Sequence, residues 1–169
     1  MASLVDELIN ILVEEEKLYS VLLEYAEKKT DIVIRADISA LEQLTEQEKS
    51  VSDELLSYGN KQMQLLNDIK TVLGKKEDLT VTKLIGYMSS QPQVREKLFT
   101  ARNCLIDTAT RLHMKNQQNE MLLRQAIELT EFDITLFRSI RQAPETANYD
   151  KNAQNTGALL GGSGFDTKQ

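Results

Sequence analysis

The residues best suited to chemistry in this chain are few. It has one Cys and one His. Cys104 and His113 lie nine positions apart on a stretch that reads as one helix. At about 100° per residue they point to opposite sides, so a continuous helix cannot form a Cys–His nucleophile–base pair from them. Both read as spectators. Helical di-metal sites built from carboxylates use Glu-x-x-His pairs on facing helices. Here Thr110 stands three residues before His113, and there is no second His. No glycine-rich phosphate loop occurs. The 26 acidic residues always supply some carboxylate pair, but the "EEE" run at 14–16 reads more simply as a solvated helix face. The expectation is a non-enzyme with no cofactor and no metal site.

Composition narrows the partners. Formal net charge is −6, whereas nucleic-acid binders present a basic footprint. An anionic membrane surface is disfavoured for the same reason. The lone Cys rules out an internal disulfide framework and fits a reducing compartment. The acidic start, "MASLVDELIN", does not read as a signal peptide. No apolar run approaches the ~20 residues that span a bilayer. These features together predict a cytoplasmic protein that binds neither nucleic acid nor membrane interior.

The elements that would position a site are helices. Aromatic residues make up only 5% of the chain, Trp is absent and Pro occurs twice. From Leu4 an apolar seam steps by three and four residues through Leu8, Ile11, Glu15, Leu18, Leu22, Tyr25, Lys29, Ile32 and Ala36, the repeat of supercoiling helices. Beside it run Val5, Ile9, Leu12, Tyr19, Leu23, Ala26 and Val33, so this helix should touch two neighbours. Ser3 is its expected N-cap. The break falls near Asp37, and Ser39 with Glu42 has capping-box spacing. The second helix repeats the seam through Leu41, Leu44, Glu48, Val51, Leu55, Tyr58, Gln62, Leu65, Ile69 and Val72 and stops at Gly74. A short helix is expected over about Val81 to Ser89, capped by Thr80. The longest element begins at Pro92 and ends before Pro144. Its seam runs through Leu98, Ala101, Leu105, Thr108, Leu112, Lys115, Asn119, Leu122, Ala126, Leu129, Asp133, Leu136 and Ile140.

The predicted fold is therefore all-α: an elongated antiparallel coiled-coil bundle of three long helices and one short one, over residues 1–143. Residues 144–169 lack apolar periodicity and are expected to form a flexible tail. Polar residues inside the seams, such as Glu15, Glu48, Lys115, Asn119 and Asp133, either fix register or face solvent where the bundle frays. A hairpin folded near Asp37 brings Glu48 close to Tyr25 and Lys29.

The last third of the long helix carries a second apolar stripe: Leu123, Ile127, Ile134 and Phe137, continued by Thr130. Either the first two helices cover it, or it is an exposed groove for an amphipathic helix of another protein. Met88, Met114 and Met121 could add adaptable contacts.

Particular segments resemble the FlgN family of flagellar export chaperones. They are "EEEKLYSVLLEYAEKK" followed by "ADISALEQL", then "NQQNEMLLRQ" with Asn116 and Asn119 three apart, then "YDKN" after the helix ends. The resemblance covers about Leu4 to Ala153. It implies a cytoplasmic chaperone that binds the C-terminal helical segments of hook–filament junction proteins, keeps them unassembled, and delivers them to the flagellar export gate. It places client binding in the C-terminal half, where the second stripe lies. It also implies that the tail, through Tyr149 and Asp150, docks on the export gate. The family usually has a glycine where this chain has Ala153. Oligomeric state stays open between monomer and homodimer. The alternative is a structural coiled-coil module that dimerises through the same stripe.

Overall fold

The computed structural model describes residues 2–142, and the side chains of 3–141. The expected tail, with Tyr149, Asp150 and Ala153, lies outside the described residues. Four helices occur among the described residues: α1 (Ala2–Ile34), α2 (Ile38–Val72), α3 (Val81–Tyr87) and α4 (Pro92–Gln142). No strand is present among the described residues, so the all-α reading holds. The chain divides into two units, Met1–Thr130 and Glu131–Gln169.

In the first unit, α1 and α2 are antiparallel and their backbones run closest together. The turn between them is tight. The N–H of Ala36 donates to the carbonyl of Val33 and that of Asp37 to the carbonyl of Ile32, the paired bonds of a Schellman end. Ala36 takes the left-handed conformation this requires, at φ 53°. Asp37 then caps α2, its carboxylate accepting from Ala40 N–H at 3.0 Å. Ser39 is therefore not the cap but lies inside α2, because the break residue already supplies the acceptor. Ser3 likewise sits inside α1, which begins at Ala2. The far end of α2 closes as expected. Gly74 has φ 62° and bonds back to Thr71, while Lys75 bonds back to Lys70. Thr80 caps α3 by accepting from Lys83 N–H at 3.2 Å.

α4 runs in the same direction as α1. Thr108 donates to Glu16 at 3.0 Å, and Asn119 donates to the Ala26 carbonyl at 2.7 Å. The two seams predicted on α1 thus meet two different helices. One core cluster joins Val5, Leu8 and Leu12 of α1 to Leu65 and Ile69 of α2, Leu84 and Ile85 of α3, and Leu98 of α4. Fully burying each such side chain contributes about 1.5–3 kcal/mol. Met88 is buried in this cluster and is not available to a partner. A second cluster joins Leu22, Leu23 and Ala26 to Leu112, with Tyr19, Tyr25, Val51 and Leu55 packed on it. Leu123, Ile127 and Leu129 are exposed, with Ile127 at 51%. The seam position Leu129 therefore has no cover.

In the second unit, residues 131–142 are the last turns of α4. Phe132, Ile134, Leu136, Phe137 and Ile140 are all exposed there, Phe137 at 68%. Asp133 is exposed as well, the solvent-facing outcome for that seam residue.

Candidate functional site

The first unit contains a groove of about 340 Å³ between α1, α2 and α4. Its apolar lining is Leu22, Val33, Leu112 and Leu123; its polar lining includes Asn116, Asn119, Lys29 and Glu48. Helical periodicity explains which α4 residues reach it. Leu112, Asn116, Asn119 and Leu123 are spaced four, three and four residues apart, which keeps them on one face.

Asn119 anchors that face. It is only 4% exposed. Its Nδ2 donates to the Ala26 carbonyl at 2.7 Å, and its Oδ1 accepts from the Thr30 hydroxyl at 2.7 Å. Ala26 is fully buried, and its small side chain allows the close approach. A buried amide with both ends satisfied stabilises one register of α4 on α1 and penalises others. Asn116 is exposed at the groove margin.

Lys29 of α1 pairs with Glu48 of α2 across the other wall. Both side chains are about four-fifths buried, so the pair is less screened than a surface pair. This is the contact predicted from the hairpin. Glu15 also proves buried, at 5% exposure. Burial raises its pKa above the ordinary carboxylate value.

Of the residues singled out in the sequence, the structure brings Asn116, Asn119 and Leu123 to one groove. Ile127 and Thr130 are exposed beyond it in sequence and do not line it. The Thr130 hydroxyl donates to the Ala126 carbonyl at 2.8 Å. Ile134 and Phe137 belong to the second unit. Leu22, Val33 and Leu112 were legible as core positions but not as groove lining, because that needs the register of three helices. Cys104 and His113 are both exposed. Among the described residues no three His, Cys, Asp or Glu side chains gather as a metal site.

A family model described as FlgN protein matches residues 1–157. The chain belongs to the FlgN family. FlgN proteins are flagellar type III export chaperones, and the family is not one of enzymes. The asparagines that carried the resemblance are thus, in this FlgN-family chain, the rim and the anchor of the groove. No curated protein and no solved structure matches the chain. No helix among the described residues is long and apolar enough to cross a membrane.

Proposed function

We propose that this chain is a cytoplasmic chaperone for hook–filament junction proteins. It binds their C-terminal helical segment, prevents premature assembly and delivers them to the export gate. The observation that carries this reading is the run of exposed apolar side chains late in α4. In the first unit these are Leu123 and Ile127, next to Thr130. Ile134 and Phe137 are exposed in the second unit, and are proposed as further client contacts on helical spacing alone. Exposed apolar residues at i, i+4 spacing suit the apolar face of an amphipathic helix. A client segment covering about 600–800 Å² per side would bind with micromolar to nanomolar affinity. Docking on the export gate is assigned to Tyr149 and Asp150.

The test is isothermal titration with peptides from the C-termini of the same organism's two hook–filament junction proteins. Unrelated amphipathic helices of equal hydrophobicity are the controls. Selective binding with a negative heat-capacity change is expected. Equal binding to the controls would remove the client assignment.

The same exposed residues favour a second reading, a structural module that dimerises through them. Light scattering separates the two. A dimer at every concentration supports the module, and a client-free monomer supports the chaperone.

A further inference from the structure

The first unit holds a second groove, of about 460 Å³, and its lining contains a single charged residue, Glu15. Its walls come from α1 (Tyr19), α2 (Leu55 and Gly59) and α4 (Leu105, Ile106 and Ala109). Glu15 is 5% exposed; among the described residues no hydrogen bond or neighbouring charge acts on its carboxylate, whose oxygens keep a narrow opening to solvent. Glu16 next to it is supplied by Thr108 and Ser20, and Glu14 by Lys17. Glu15 alone of the three lacks a partner. Gly59 stands opposite, so that a Cβ built there would lie 4.0 Å from Glu15 Oε1. A helix-interior glycine is less favourable than alanine. Here its missing side chain leaves the carboxylate facing open space.

A largely desolvated carboxylate without a protein partner is unfavourable, and a cation that meets it offsets that cost. The walls are mostly apolar, with Ser52 and Gln62 as uncharged polar residues among them; they suit the methylene stem of a long basic side chain, and the carboxylate suits its head. We propose that this groove is a cation pocket that receives one Lys or Arg side chain projecting from an apolar helical segment of the client. The assignment to the client rests on the chaperone reading above. The pocket deepens that reading by setting register: apolar positions fill space, and one basic residue fixes where the segment sits.

Two measurements test it. The first uses the full chain without any client. n-Butylammonium and 1-butanol are titrated separately while backbone amide shifts are followed by NMR. The ammonium should move the amides of Glu15, Gly59 and Ala109 with at least about fivefold tighter binding than the alcohol. Glu15→Gln should abolish that preference. Gly59→Leu, which keeps the carboxylate but fills the space, should abolish binding of both. Circular dichroism confirms that each variant is folded. Equal binding of the two probes, or shifts centred elsewhere, would overturn the pocket.

The second measurement replaces each Lys and Arg of a bound client peptide by Met in turn. One position should lose about tenfold in affinity against the unaltered chain and nothing against Glu15→Gln. If no position depends on Glu15, the pocket is not a client site. If the peptides do not bind at all, the chaperone reading fails, and the butylammonium titration still decides whether the pocket exists.

Discussion

Asn119 and Ala26 are 93 residues apart in sequence, yet the Asn119 side-chain amide donates to the Ala26 main-chain carbonyl at 2.7 Å. The Thr30 hydroxyl completes the arrangement by donating to Asn119 Oδ1 at 2.7 Å. This is a polar bolt between two parallel helices at a position that the seam otherwise fills with apolar residues. Asn119→Ala removes two hydrogen bonds and leaves a small void. It should cost about 2 kcal/mol in urea unfolding. Asn119→Asp should cost more at neutral pH, because an ionised carboxylate cannot donate and would face the Ala26 carbonyl. That difference should shrink on acidification, as protonation restores a donor.

The two helix ends at Ala36 and Gly74 share one hydrogen-bond pattern but differ in residue type. Both positions have positive φ, 53° and 62°, and only one is glycine. An L side chain in the left-handed region costs about 1–2 kcal/mol. Ala36→Gly should therefore stabilise the chain, by about 1 kcal/mol once the entropy of the unfolded glycine is counted. Gly74→Ala should destabilise it by a similar amount. Nothing lies within 4 Å of a Cβ at Gly74, so the cost there is conformational and not steric. Thermal unfolding of the two variants with opposite signs is the expected result.

Glu15 makes stability depend on pH. Its pKa in the folded chain is raised by burial, so folding favours the protonated form. The sign follows from linkage: a raised carboxylate pKa contributes stability below the unfolded value, and that contribution is lost as pH rises through the folded value. At neutral pH the charge is therefore a liability. Glu15→Gln should raise the unfolding midpoint at pH 7. The gain should vanish below the ordinary carboxylate value of 4.5. A gain that persisted in acid would mean that the glutamine acts through packing and not through charge.

Much of this architecture was legible because the physics is local. Pro92 marks the start of α4. Thr80 caps α3, and Gly74 stops α2. The Lys29–Glu48 pair followed from folding two seams about Asp37. The errors also have local causes. Ser39 and Glu42 have capping spacing, but Asp37 satisfies the α2 N-terminus two residues earlier. Leu129, Leu136 and Ile140 keep the apolar repeat yet are exposed, because periodicity says which side of a helix is apolar and not what lies against it. α4 has 51 residues against 33 and 35 in α1 and α2. The two grooves were not legible, since their walls combine residues tens of positions apart. Glu15 was visible as a polar interruption, but its lack of a partner depends on Gly59 and Leu105 being its neighbours.

The proposed client contacts predict an asymmetry among substitutions on α4. Ile127 and Ile134 are about half exposed, so neither contributes much to the core of its own unit. Ile127→Asp and Ile134→Asp, made singly, should each cost well under about 1 kcal/mol of stability, the scale of helix propensity differences. A client helix laid over either position would desolvate the new carboxylate with no partner, which is far more costly. Each variant should therefore lose at least about tenfold in client affinity while its circular dichroism is unchanged. Thr130→Ala should behave differently. Its hydroxyl already donates to the Ala126 carbonyl within α4, so it offers a client little beyond a methyl group, which alanine retains in part. Affinity should fall less than about threefold. If Thr130→Ala proved as damaging as Ile127→Asp, the contact would depend on hydrogen bonding rather than apolar burial, and the client face would have to be redrawn around α4's polar side.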